Sequence, residues 1–233
     1  MRQSFNINQN WIFIKEDIGM TAASLADGQQ INLPHTWNAN DGQDGGNDYY
    51  RGRCWYRKEL DLRDMHPDEE IWAEFRGVAM LADVYLNGQH LAHHAGGYST
   101  FRVNLTPALA GKNTLVVSAD NRFSREIYPQ RADFTFYGGI YRDVHLLRVA
   151  KAHFALSRHG SAGLMVSPRI ENGRAAVKVE AWLENAPFTA FVRFKIEMID
   201  RTIVDVIDGR AETVLLIDPV HLWDGTDDQI GRA

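Results

Sequence analysis

The chain has 233 residues, 45% of them hydrophobic and 24% charged, with 25 basic against 30 acidic side chains for a formal net charge of −5. That length holds one large domain or two small ones, and an aromatic content of 11% excludes a disordered or low-complexity chain. No basic stripe marks a nucleic-acid partner, and no apolar run nears the ~18–20 residues of a membrane span, so neither partner is expected.

The predicted elements are short. Residues 21–25 allow one helical turn, which Asp27-Gly28 ends. Elsewhere, runs of about 5–9 residues alternate with period two or are solidly apolar, between Gly, Asn, Asp and Pro, as strands do. Residues 11–15 form the first. In 55–62, Tyr56, Leu60 and Leu62 oppose Arg57, Glu59 and Asp61. In 70–76, Ile71, Ala73 and Phe75 oppose Trp72, Glu74 and Arg76. Residues 80–86 place Met80, Ala82, Val84 and Leu86 on one face and lead into Asn87-Gly88, a hairpin turn of type I′ in which both central residues need positive φ. Residues 89–92 return, Phe101, Val103 and Leu105 alternate, and 114–119 and 141–149 complete a first set. The pattern pauses at 149–153, which predicts a boundary between residues 1–150 and 151–233. Strands follow at 163–166, 175–183, 188–199, 203–207 and 213–217. The chain is therefore predicted to be all-β, two antiparallel sandwiches in series.

Familiar catalytic motifs are missing: there is no His-Glu-x-x-His, no phosphate-binding loop and no Gly-x-Ser-x-Gly. His93 and His94 are neighbours on a predicted strand, point to opposite faces and cannot easily share a metal. The single cysteine, Cys54, excludes a disulfide within the chain and reads as a small buried hydrophobe. The first residues, MRQSFNINQNW, contain no apolar leader core, so a cytoplasmic location is expected.

Two tracts stand out. Residues 38–53, NANDGQDGGNDYYRGR, are rich in Asp, Asn, Gly and Tyr. Such a loop either recognises sugar, through amide and carboxylate contacts to hydroxyls and Tyr faces against pyranose rings, or is a solvated surface loop. Residues 128–143, YPQRADFTFYGGIYRD, place one carboxylate, Asp133, among aromatics. Buried there it must find partners or stay neutral, which makes it either a polar site residue or a loop acid paired with Arg131 or Arg142. Gly138-Gly139 can supply positive φ for the re-entry into the last strand.

In order along the chain, Leu33-Pro34-His35-Thr36-Trp37-Asn38, Tyr50-Arg51-Gly52, Trp55-Tyr56-Arg57-Lys58, Val84-Tyr85-Leu86-Asn87-Gly88, Gly96-Gly97-Tyr98-Ser99-Thr100-Phe101, Asn104-Leu105-Thr106 and Gly138-Gly139-Ile140-Tyr141-Arg142-Asp143-Val144 resemble the N-terminal region of glycoside hydrolase family 2. That family holds β-galactosidases, β-glucuronidases and β-mannosidases. The resemblance implies a sugar-binding jelly roll followed by an immunoglobulin-like sandwich, near whose end Pro219-Val220-His221-Leu222-Trp223 resembles a family motif. Residues 227–233 depart from the pattern, so the second sandwich is expected to be incomplete at its C-terminal end, less stable than the first and prone to self-association.

The family's acid/base Glu follows an Asn on a downstream (β/α)₈ barrel, and no Asn-Glu dipeptide occurs here. No catalytic residue is therefore named. The resemblance implies an O-glycosyl hydrolase, most simply a β-galactosidase, to which this chain lends substrate-binding surface. Asp133 matches a family loop acid that holds sugar hydroxyls and a cation. Asn47, Asp48 and Tyr49 match a second contact loosely, and Arg142 and Asp143 are expected to be structural. No cofactor is expected in this chain, with a monovalent or divalent cation in the complete enzyme. The expected partners are a β-glycoside sugar, the catalytic barrel and a second copy of the chain. A stand-alone carbohydrate-binding module and a structural interaction protein are the alternatives.

Overall fold

The structure, a computed structural model, describes residues 2–41, 48–62, 66–129, 132–196 and 200–222. They are almost entirely strand and turn. The chain divides into two compact units, residues 1–150 and 151–233.

The first unit runs β1 (Gln3–Asn6), β2 (Trp11–Ile14), α1 (Met20–Ala23), β3 (Gln29–Ile31), β4 (Arg53–Leu60), β5 (Glu69–Phe75), β6 (Leu81–Leu86), β7 (Gln89–Ala95), β8 (Phe101–Asn104), β9 (Asn113–Asp120) and β10 (Val144–Ala150). One sheet has the order β1-β10-β5-β8 and the other β3-β2-β4-β9-β6-β7, with every pairing antiparallel. The alternation read in the sequence decides which side chains turn inward. Ile71, Ala73 and Phe75 of β5 and Phe101 and Val103 of β8 join a single buried cluster with Tyr56, Val84, Leu86, Leu115 and Val117 of the larger sheet. Each fully buried Leu or Phe contributes about 1.5–3 kcal/mol relative to exposure. Asn87 and Gly88 have φ of 52° and 85°, as the type I′ turn requires. Cys54 is buried in β4, and burial pushes its thiol up to about 12, which leaves it unreactive.

The outward faces carry their own structure. On the larger sheet, the short helix covers Ile14, Trp55 and Val116 through Ala23. On the smaller one, Glu74 is buried and accepts hydrogen bonds from Arg102 Nε at 2.7 Å and Arg76 Nε at 3.4 Å. Burial opposes the Glu74 charge, but Arg102, Arg76 and Arg2 outweigh it and hold the carboxyl below the ordinary carboxylate range.

The second unit contains β11 (His153–Phe154), β12 (Leu164–Glu171), β13 (Arg174–Glu184), β14 (Phe191–Ile196), β15 (Asp200–Asp205) and β16 (Arg210–Ile217). β13 is central, with β11 and β12 in succession along one side and β16 on the other, and β14 pairs with β15. Ala181, Ala211 and Leu215 pack with Val192, Phe194 and Val206 in its core. All eight residues of β12 are exposed, and Pro168 sits in mid-strand opposite Val177. An edge position is where a strand tolerates a missing N–H.

Three strands escaped the sequence reading. β1 is exposed throughout with Phe5 its one apolar residue, β3 has three residues, and β11 has two. None is long or apolar enough to print a period.

Candidate functional site

The two unusual tracts meet in the first unit, and buried amides join them. Asn38 and Asn121 are both fully buried. Asn38 Nδ2 donates to the Tyr50 carbonyl at 2.9 Å and to Asp41 Oδ1 at 3.0 Å. Its Oδ1 accepts the Gly138 N–H at 2.8 Å and Asn121 Nδ2 at 3.2 Å. Asn121 Nδ2 also donates to the Phe136 carbonyl at 2.9 Å, while its Oδ1 accepts the Gly52 N–H. Two side chains thus satisfy backbone groups from both loops, as buried polar atoms require. Burial opposes the Asp41 charge, but the Tyr50 N–H, the Asn38 amide and nearby Lys15 hold its carboxyl below the ordinary range.

Glycine is required where the second tract re-enters the sheet. A Cβ at Gly138 would lie 1.9 Å from Trp37 Cζ2. Gly139 has φ of 128°, and a Cβ there would lie 2.5 Å from the His35 carbonyl oxygen. Only Gly139 uses positive φ; Gly138 answers to packing against Trp37, which corrects the expectation that both supply it.

Above this frame lies an open cavity of about 410 Å³, lined by Ala79, Met80, Tyr98, Pro129, Phe134, Thr135, Phe136 and Tyr137. Tyr98, Phe134 and Tyr137 show much of their rings to solvent, while Phe136 and Met80 are buried beneath. Arg142 Nη1 donates to the Tyr98 carbonyl at 3.0 Å, and the Tyr141 hydroxyl donates to the Gly97 carbonyl, which fixes the loop carrying Tyr98. Asp143 Oδ1 accepts Asn8 Nδ2 at 2.8 Å. Arg142 and Asp143 therefore hold other groups in place. A hollow of about 510 Å³ elsewhere on this unit is lined by Arg57 and Lys58, whose donors already serve the carbonyls of Ala23, Ala26 and Gln9.

The sequence-derived candidates fall in different places. Asp133 is exposed next to the cavity-lining Phe134. The enclosure that would force it to find a partner is not imposed, because the aromatics line a cavity beside it instead of closing over it. Asp48 is exposed, and Asn47 lies outside the described residues. Tyr49 is only 8% exposed, and its hydroxyl accepts the Phe136 N–H at 3.1 Å. It supports the cavity from below, and its ring is not presented for stacking. Asn38, Asn121 and Met80 were not singled out by sequence reasoning. Asn38 ends a quoted motif, but nothing in its neighbourhood announces that it is buried.

The cation that the resemblance implies finds a poor shell here. Among the described residues the cavity lining holds no carboxylate, and Asp133 adjoins it in sequence, whereas Mg²⁺ or Ca²⁺ needs several oxygen ligands. These residues do not fit such an ion by themselves.

Residues 20–150, more than half the chain and nearly all of the first unit, match the sugar binding domain of glycosyl hydrolases family 2. The chain belongs to glycoside hydrolase family 2. It is 32% identical to a β-glucuronidase of Bacteroides fragilis over 97% of its own length and 34% of that protein's. It is 29% identical to a β-galactosidase of Thermoanaerobacter pseudethanolicus over 65% of this chain and 22% of the relative. A solved β-glucuronidase of Bacteroides uniformis is similar across 96% of this chain and 29% of its own, with 33% identity and a TM-score of 0.79. The chain thus spans about a fifth to a third of the length of these family 2 relatives.

Proposed function

We propose that this chain is the non-catalytic N-terminal part of a family 2 β-glycoside hydrolase, a jelly roll followed by an immunoglobulin-like sandwich, and that the aromatic cavity forms one wall of its substrate site. The observation that carries this reading is the cavity itself. Exposed Tyr98, Phe134 and Tyr137 sit in the unit that matches the family's sugar binding domain, with the Asp133 carboxylate alongside. Aromatic faces over a few polar groups suit a sugar ring and its substituent.

In this reading a barrel outside the chain carries the two carboxylates that retaining hydrolysis needs, ~5–5.5 Å apart. The parent acts on β-glucuronides first, a reading supported by a β-glucuronidase relative that is similar along nearly the whole chain. A β-galactoside is the second reading, supported by the place of Asp133 ahead of Gly139-Ile140-Tyr141-Arg142 and by the Thermoanaerobacter pseudethanolicus relative.

The test is an NMR titration of the chain with glucuronate, galactose and mannose. One wall of a site leaves much of the sugar in water, so millimolar affinity, about −4 kcal/mol, is expected, with shifts confined to Tyr98 and residues 133–137. Glucuronate shifting these signals at lower concentration than galactose supports the first reading, and the reverse order the second. Saturating shifts elsewhere, or none with any of the three, would sink the sugar-facing assignment.

A further inference from the structure

The cavity in the first unit offers a sugar ring few partners. Among the described residues no charged side chain lines it, and its lining residues bring three side-chain hydroxyls, those of Tyr98, Thr135 and Tyr137. A uronic acid or a hexose carries a polar group on nearly every ring carbon. Each such group loses free energy when it leaves water without a hydrogen-bond partner. An aromatic ring meets no such cost and gains from burial against other rings. The lining therefore suits the group attached to a sugar better than the sugar itself.

The walls are fixed by the fold. The Ala79 N–H donates to the Gly139 carbonyl at 2.9 Å. The Met80 N–H donates to the Asp120 carbonyl at 2.8 Å, and the Met80 carbonyl accepts the Gly96 N–H at 3.0 Å. Phe136 is held by its N–H bond to the Tyr49 hydroxyl and by the Arg51 guanidinium, 5.0 Å from its ring centroid. Phe134 leans on Phe136 with centroids 5.3 Å apart and planes at 49°, which makes an aromatic corner.

About half of Phe134 and of Tyr98 faces solvent, although both belong to this anchored frame. Apolar surface gathered and exposed in this way marks a binding groove. Buried Met80 adds a pliable base, since an unbranched thioether can repack against rings of different outline. An enclosed void of ~150 Å³ already holds benzene, so about 410 Å³ leaves room for a larger planar group.

On the reading that this cavity is one wall of the substrate site, we propose that it holds an aromatic aglycone, the non-sugar group of an aryl β-glycoside. The sugar then lies outside the cavity, toward the Asp133 carboxylate, and aryl glycosides are preferred over alkyl ones.

The test is NMR titration of the chain with phenyl and methyl β-D-glucuronide, with the same pair of β-D-galactosides, and with phenol. For the better-bound sugar, the phenyl glycoside should bind at least tenfold more tightly than the methyl glycoside. Phenol alone should shift the ring signals of Tyr98, Phe134 and Tyr137 and saturate. Tyr98→Ala should weaken the phenyl glycoside at least fivefold and leave the methyl glycoside within twofold. Phe188→Ala removes a ring that is 93% exposed in the second unit and should change neither, which excludes general adhesion of aromatics. A gap of less than tenfold between phenyl and methyl glycosides would overturn the proposal and leave the sugar-facing wall standing, as would phenol shifts confined to other residues. Phenol that bound as tightly as the phenyl glycosides would remove the substrate-site reading instead, and the aglycone assignment with it.

Discussion

The two units are built from the same kind of strand, yet they bury very different amounts of side chain. Among the described residues, one continuous cluster in the first unit gathers 23 buried apolar residues, and the core of the second gathers six. The difference lies in how much of each sheet is covered. In the first unit, the inward residues of β5, β8 and β10 meet those of β2, β4, β6 and β9. In the second, Ala181 of β13 and Leu215 of β16 lie under Val192 and Phe194, but β12 shares that face without sharing its cover. Val166 opposes Val179 and Ile170 opposes Ala175, on the side where Ala181 is buried, and both remain about half exposed. Alternation alone does not stabilise a sheet; a second layer must lie over the apolar side.

The contrast can be broken or sharpened by mutation. Phe75→Ala, in the middle of the larger core, should cost about 4 kcal/mol in chemical denaturation of the first unit. A loss under about 1 kcal/mol would show that this core is less tightly packed than its burial indicates. Glu74→Gln should cost about 3 kcal/mol, because it leaves Arg102, itself 7% exposed at its side chain, beside a neutral partner. The same change should flatten the acid limb of the stability curve. The folded carboxyl sits below its ordinary value, so its stabilisation is complete above about pH 4.5 and fades as pH falls through the depressed value.

Asn121→Ala should cost about 2 kcal/mol, since the Gly52 N–H and the Phe136 carbonyl both lose a buried partner. It should also broaden the NMR signals of residues 133–137, which a simple loss of packing elsewhere would leave sharp. Amide exchange in β4 and β9 should be at least tenfold slower than in β12 and β16, a gap of about 1.4 kcal/mol. Equal protection would remove the ranking of the two units. The smallest effect belongs to Val166→Thr, expected to stay within about 0.5 kcal/mol because the site is already wet.

The strands that face a core were legible in the sequence because burial on one side writes period two into the chain. Tyr56, Val84 and Phe75 were placed that way, and Asn87-Gly88 located its hairpin by φ alone. The edge strands β1 and β3 carried no such record. The cavity was legible only in part. The aromatic richness of residues 134–137 was visible, but burial of Tyr49 and the joint grip of Asn38 and Asn121 depend on contacts between segments more than eighty residues apart. The face on which His90 lies was hidden for a different reason: the β6–β7 pairing shifts by one residue between Val84 and Tyr85, and no local composition encodes that shift.

Pro168 gives the exposed β12 a character that its apolar side chains alone would not. A long, bare, hydrophobic rim is the template along which stray polypeptides stack into amyloid threads. With a proline at its centre, every incoming copy meets a missing donor at the same rung, and growth of a filament stalls there. What that edge still offers a second copy is the side chains of Leu164, Val166 and Ile170, whose contacts dilution reverses.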